Sequence, residues 1–354
     1  MKFGFMTQLQ IPKPWTATSE RHAFWNGLDQ GVAAEAAGFE YYWITEQHFF
    51  IEIGHSPASD MYLAALSQRT STLRLALGVV LMPIHNPVSI AERVATLDVL
   101  SNGRVEFGTG RGTSGYISEG MGLDPAESRK VAREHLDVVL KLFDAHEFEG
   151  YDGDYVSLPP RHMVPGLIQT PHPPLWTAAS NLETYEQAAR QGFGCVGVTR
   201  SSIADTKRAV ENYHAIVKAT DPADFIARKP NHQTAVFGIA YCDKDDRVGR
   251  DIGCAAARWY YGENDAELNP VRFATAGGVE KVKARMAGLS DDDLIDNGMA
   301  IGGDPDTISR TVENWASTGI DQIIFMIQAG NTTHEQVMRS IDLIGEKVIP
   351  RFQG

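Results

Sequence analysis

Three cysteines in 354 residues, Cys195, Cys242 and Cys254, are too few and too scattered for a disulfide framework, and none stands in a C-x-x-C pair that would suggest zinc. They read as small buried apolar residues. Excess positive charge is missing too. Lys plus Arg number 32 against 45 Asp plus Glu, a net charge of −13, so no basic field gathers nucleic acid or an anionic membrane surface. No apolar run approaches the roughly 18 residues of a spanning helix. The opening MKFGFMTQLQ lacks the basic and apolar regions of a signal peptide. H-E-x-x-H, G-x-S-x-G, Walker and EF-hand patterns are all missing, so no metal ligand set is expected. These absences predict a cytoplasmic protein whose partners are small molecules, with no nucleic acid and no membrane.

What is present is rhythm. With 43% hydrophobic and 22% charged residues the chain can bury a large core. Short apolar runs suited to buried strands fall at Lys2–Met6, Tyr41–Ile44, Leu73–Met82, Arg104–Gly108, Pro174–Ala178, Gly194–Val198, Thr234–Cys242 and Gln322–Ile327. Between them lie helical stretches: His22–Ala37, Asp60–Arg69, Val88–Leu100, Pro125–Ala145, Leu182–Gln191, Ile203–Lys218, Asp246–Tyr261, Asp306–Ser317 and Thr332–Val348. Asp304-Pro305 and the pair Thr332/Glu335 mark helix starts, and Gly38, Gly103, Gly192 and Gly319 mark stops before strands.

Two excursions break this rhythm, the proline-rich Glu147–Pro173 and Glu263–Gly303 with its acidic run. Eight strand–helix units with two insertions predict an α/β fold, a (β/α)8 TIM barrel spanning residues 1–354 as a single domain. Such a barrel places its chemistry on loops after the carboxyl ends of the strands.

Those loops hold the candidate residues. Gly110-Arg111-Gly112-Thr113-Ser114-Gly115 has the outward form of a dinucleotide-binding loop, but it follows the fourth strand and, on the sequence, no helix begins before about Pro125. It reads instead as flexible backbone from which Arg111 reaches an anion with a planar fork of donors. Arg129 sits near a helix start, where a cation opposes the helix dipole, a placement that a bound anion explains. Ala179-Ser180-Asn181 hands backbone to the helix Leu182–Gln191 and forms an anion seat, with Ser180 or Asn181 as its cap.

Polar groups also crowd the end of the second strand in Thr45-Glu46-Gln47-His48-Phe49. Gly78, inside the third strand, suggests close approach of a backbone or a flat ligand. His162 and His172 fall among prolines and read as loop surface.

Taken together, Met1–Met6, Trp43 to Phe49, Pro83-Ile84-His85-Asn86-Pro87-Val88, Leu97 to Arg104, Phe107 to Gly112, Gly302 to Pro305 and Thr318 to Gln322 give a sequence that resembles the bacterial luciferase family of flavin-dependent monooxygenases over nearly its whole length. The resemblance implies a barrel binding FMN, supplied reduced by a separate flavin reductase. With O2 the flavin would form a C4a-hydroperoxide that oxygenates a small, largely apolar organic substrate, in a homodimer. It implies that Arg111, Arg129 and Ser180 hold the phosphate, that Gly78-Val79 is a non-prolyl cis peptide against the ring, and that Glu46 and His48 act near the reacting atoms.

Three departures accompany it. Gln47 stands where the luciferase α subunit has a histidine, and it cannot act as a base near neutral pH. Gly110 stands at the reactive cysteine. Glu183 stands where a second phosphate-binding hydroxyl is expected, with Thr184 as a possible substitute. The alternatives are an F420-dependent oxidoreductase of the same barrel family and a non-catalytic flavin-binding barrel.

Overall fold

A computed structural model describes residues 1–112, 115–144, 147–263 and 279–353. All eight expected runs are strands: β1 Lys2–Thr7, β2 Tyr41–Ile44, β3 Arg74–Leu81, β4 Val105–Gly110, β5 Leu175–Ala178, β6 Gly194–Val198, β7 Thr234–Cys242 and, last, β9 Gln322–Met326. Each pairs in parallel with the next. β9 returns to β1 with Lys2 opposite Gln322, which closes an eight-membered ring. The chain is therefore a (β/α)8 barrel, as its strand–helix rhythm predicts.

Burial on both faces explains why these runs read as continuously apolar rather than alternating. Phe3, Phe5, Tyr42, Leu75, Leu77 and Phe107 pack outward against helices, while Met6, Trp43, Ala76, Trp176, Ala235 and Ile324 fill the cylinder. At its amino end the interior is polar: Arg74 is paired with Glu106, and the Trp176 indole donates to the other Glu106 oxygen at 2.5 Å. Burial pushes the Glu106 carboxyl up, and the Arg74 charge opposes it. This end of a barrel serves stability rather than catalysis.

The glycine stops hold, since Gly38, Gly103, Gly192 and Gly319 all have positive φ. Asp304 caps its helix by accepting from the Thr307 amide, but the final cap lies one residue later than expected, at Thr333 with Gln336. Threonines stand at both 332 and 333, and the backbone turn selects between them.

Three regions lay beyond the periodicity. Gly115–Gly120 is a short helix, contrary to the expectation that none begins before Pro125, and the longer one starts at Ser128. Part of the second excursion folds as the helices Val279–Gly288 and Asp291–Asp296 and the strand β8, Ala300–Gly303, which pairs with the far half of β7 outside the ring. Residues 264–278 of that excursion, and Thr113 and Ser114 of the glycine-rich loop, lie outside the described residues. The first excursion forms two small antiparallel ladders.

His162 is exposed on one ladder, but His172 is buried, correcting its reading as loop surface. Its Nδ1 faces the Pro173 carbonyl at 2.8 Å, and burial pushes its pKa down. All three cysteines are free and buried. No described helix is long and apolar enough to cross a membrane.

Candidate active site at the carboxyl end of the barrel

β2 delivers Glu46 into a buried position, its side chain 3% exposed. A carboxylate there must be saturated with donors or lose its charge. Oε1 accepts from His48 Nε2 at 2.7 Å and from His85 Nε2 at 2.6 Å, and Oε2 accepts from the Leu81 amide at 2.9 Å. Burial alone would raise the Glu46 carboxyl, but the two imidazole hydrogen bonds, the His85 charge and the amide outweigh it and bring it down to about 2. Both nitrogens lie within hydrogen-bond reach of a single oxygen. That is closer than the roughly 3.4 Å separating neighbouring ligands about 2.1 Å from a tetrahedral zinc ion.

His85 was not among the expected site residues. The signal was present in Met82-Pro83-Ile84-His85-Asn86-Pro87, a proline-bounded turn at a strand's carboxyl end, but nothing in sequence alone pairs it with a residue 39 positions earlier. The turn is held from both sides. The Met82 carbonyl lies 2.9 Å from His135 Nδ1, and Asn86 caps the next helix. Gln47 is neighbour to this cluster rather than part of it: its amide donates to the Ser56 carbonyl and its side chain packs where a Cβ on Gly54 would sit.

The third strand carries a cis peptide between Gly78 and Val79, and its register against β4 shifts between Leu77 and Val80. A Cβ on Gly110 would stand 2.6 Å from Val79 Cγ2, and one on Gly108 would stand 2.2 Å from the Leu77 carbonyl oxygen. Gly78, Gly108 and Gly110 are therefore glycines because Trp43, the Leu77 carbonyl and Val79 already fill the space a side chain would need where β3 and β4 meet.

The residues expected to seat an anion lie on three segments that touch one another. Arg111 Nη1 lies 3.4 Å from the Ser128 hydroxyl, so the loop after β4 touches the helix bearing Arg129. Arg129 in turn lies 4.0 Å from Glu183, in the first turn of the helix Leu182–Gln191. Among the described residues both guanidinium groups keep unused donors, and the helix N-terminus adds its dipole.

The cap of that helix is Asn181, which accepts from the Thr184 amide in a capping box; Ser180 is not the cap. The Thr184 hydroxyl is taken up by that box, accepting from the Ser180 and Asn181 amides and donating to the Asn181 carbonyl. Ala179 is buried and spends its amide on the Val196 carbonyl. Ser180 is exposed, and among the described residues its hydroxyl has no partner. The donor set fits a terminal phosphate through Arg111, Arg129 and Ser180, with Glu183 as an internal competitor.

Aromatic rings stand beside Glu46 and His48. Phe49 holds φ +66 and is 46% exposed, with Tyr116 edge-on to it at 6.3 Å, while Phe50 is buried. Trp15 lies farther out, stacked edge-on against His55. A cavity of about 270 Å³ between the loops after β1 and β9 and the helix Ser19–Ala36 contains neither arginine nor the Glu46 cluster, so the charged chemistry lies elsewhere.

The profile of the family described as luciferase-like monooxygenase matches residues 1–322. Among individual relatives, 4-hydroxyprotoasukamycin monooxygenase of Streptomyces nodosus subsp. asukaensis is 27% identical over 94% of this chain and 88% of its own length. Limonene 1,2-monooxygenase of Rhodococcus erythropolis is 26% identical over 90% and 78%. The fold is shared with monooxygenase RslO1 of Streptomyces bottropensis, with TM-score 0.81, 24% identity and coverage of 99% and 100%. It is shared with the FMN-bound oxygenating constituent of 3,6-diketocamphane monooxygenase of Pseudomonas putida, with TM-score 0.77, 18% identity and coverage of 99% and 98%. The F420-dependent tetrahydromethanopterin reductase of Methanopyrus kandleri also shares it, with TM-score 0.73, 22% identity and coverage of 99% and 99%.

Proposed function

The chain belongs to the luciferase-like monooxygenase family, and on that premise we propose that it is an FMN-dependent monooxygenase acting as one barrel unit on a small, largely apolar organic substrate. The observation that carries this reading is the contact chain Arg111–Ser128 and Arg129–Glu183, which gathers two cations and a helix N-terminus at the mouth that also holds Glu46 and His48. Reduced FMN would supply the electrons that activate O2, chemistry no side chain in this site can perform.

The protein's part is binding, orientation and exclusion of water. Arg111, Arg129 and Ser180 would hold the phosphate, while Thr184 and Ala179 shape the turn beneath it. Gly78 and Val79 would lie against the ring. His48, oriented by Glu46, would donate to or accept from the oxygen being transferred, and Phe49 and Phe50 would keep water out. Gln47 contributes no proton.

A separate reductase would deliver reduced FMN, in keeping with a fold relative described as an oxygenating constituent. Homodimerisation and a cytoplasmic location belong to the same proposal. The alternative is F420-dependent hydride transfer, favoured by the fold shared with an F420-dependent reductase. A non-catalytic flavin-binding barrel is less consistent with a buried carboxylate carrying two imidazoles.

Anaerobic titration with reduced FMN, followed by oxygen and a panel of apolar ketones and alkenes, tests the proposal. Tight binding and oxygenated product support it. F420 binding with oxygen-independent turnover would establish the alternative, and flavin binding with no turnover would leave a storage protein.

A further inference from the structure

An ionised carboxylate only accepts hydrogen bonds, so every nitrogen facing Glu46 must carry a proton. His48 and His85 both present Nε2 to the same oxygen, Oε1, at 2.7 and 2.6 Å. Oε2 is held separately by the Leu81 amide, so the carboxylate is pinned at both ends. Among the described residues neither imidazole has a hydrogen-bond partner at Nδ1. At a pH where both rings are neutral, each is thereby fixed with its proton on Nε2 and its lone pair on Nδ1, facing away from the carboxylate.

We propose that His85 is a positioning residue that acts through Glu46: by filling half of Oε1 from a rigid turn, it fixes the carboxylate so that His48 keeps the Nε2–H tautomer and offers Nδ1 to the reacting centre. The element carrying His85 is suited to this. Met82–Ile84 is a single 3-10 turn with Pro83 within it. His135 anchors that turn from the helix behind, and Asn86 begins the next helix immediately afterwards. His48 lies instead on the loop after β2, beside Phe49 with its positive φ, and among the described residues the one hydrogen bond orienting its ring is to Glu46. The imidazole on the braced turn orients the carboxylate, and the carboxylate orients the imidazole on the loop. Without His85, Oε1 would lose one of its two donors, the carboxylate could rotate about its remaining bonds, and the Nδ1–H tautomer of His48 would become accessible. Rotamer precision of this kind is what supporting residues supply to reacting groups.

The functional half of this inference rests on the FMN reading of the site, but the tautomer half does not, and the test separates them. Two substitutions differ only in reach. The Gln side-chain amide can occupy the position of imidazole Nε2, whereas the shorter Asn amide cannot. Both are polar and suit a residue whose side chain is 19% exposed. The experiment is 15N-histidine NMR on ligand-free full-length protein at about pH 9, above the ordinary imidazole range. It is paired with single-turnover oxygenation using reduced FMN.

Wild type and His85→Gln are expected to show the His48 ring protonated at Nε2. His85→Asn is expected to show a mixture of tautomers and, where oxygenation exists, a rate lower by on the order of tenfold, largely recovered in His85→Gln. An unchanged His48 signal in His85→Asn, in a protein whose melting is also unchanged, overturns the proposal. A changed signal with no oxygenation in any variant retains the tautomer lock and overturns the FMN reading instead.

Discussion

Arg129 reaches toward Glu183 across 4.0 Å, so one of the two cations of the anion seat already faces a carboxylate of the same chain. Both side chains are about two-thirds exposed, at 69% and 66%, and such a pair contributes little to folding. On the proposed function its consequence lies in ligand binding, because Glu183 would repel a phosphate drawn by Arg129.

Removing that repulsion gives the first prediction. Glu183→Gln tightens FMN binding by about two- to fivefold, equivalent to roughly 0.5–1 kcal/mol at a solvated site, and leaves riboflavin binding unchanged. Calorimetric titration with both ligands checks it. Equal gains for both would show that Glu183 does not face the phosphate.

Arg111 should behave oppositely. Among the described residues its guanidinium spends one donor on a long contact with Ser128, and the proposed function assigns the others to a ligand. Arg111→Ala weakens FMN about tenfold, within the range for a hydrogen bond to a charged group, and flattens the salt dependence of binding. Riboflavin, lacking the phosphate, again serves as the control.

The neighbouring residues Ser180 and Asn181 separate folding from binding. Asn181 is the helix cap, so Asn181→Ala costs about 1 kcal/mol in urea unfolding. Ser180→Ala costs nothing measurable in stability and reduces FMN affinity. If the stability losses were reversed, the cap would belong to Ser180.

Glu46 predicts a pH dependence of folding. Its carboxyl falls from an ordinary 4.5 to about 2 in the folded state. The stabilisation is therefore fully present above roughly pH 5 and is lost as pH falls through the folded value. The stability gap between wild type and Glu46→Gln narrows by roughly 2 kcal/mol between pH 7 and pH 3. Denaturant unfolding at the two pH values reads this directly, and a gap independent of pH would mean that Glu46 carries no depressed carboxyl.

The barrel was legible because each strand, covered on both faces, must be apolar along its whole length, and because glycine punctuates the helix ends with positive φ at Gly38, Gly103, Gly192 and Gly319. The second excursion was not legible. β8 is four residues with two glycines, and it pairs outside the ring, so neither apolar length nor periodicity marks it. Glu46 and His48 stood out as polar residues at the end of an apolar run, but the cap at Asn181 rather than Ser180, and at Thr333 rather than Thr332, depended on turn geometry between adjacent residues with similar side chains.

The sequence by itself determined the strand–helix alternation, the closed barrel and the end of it that carries charged and titratable loops, because these follow from local periodicity and the burial of apolar surface. Only the tertiary structure decided that His85 meets Glu46 and that Glu183 faces Arg129. Those contacts join residues 39 and 54 positions apart, and a hydrogen bond or charge pair between separate loops leaves no periodic trace in either.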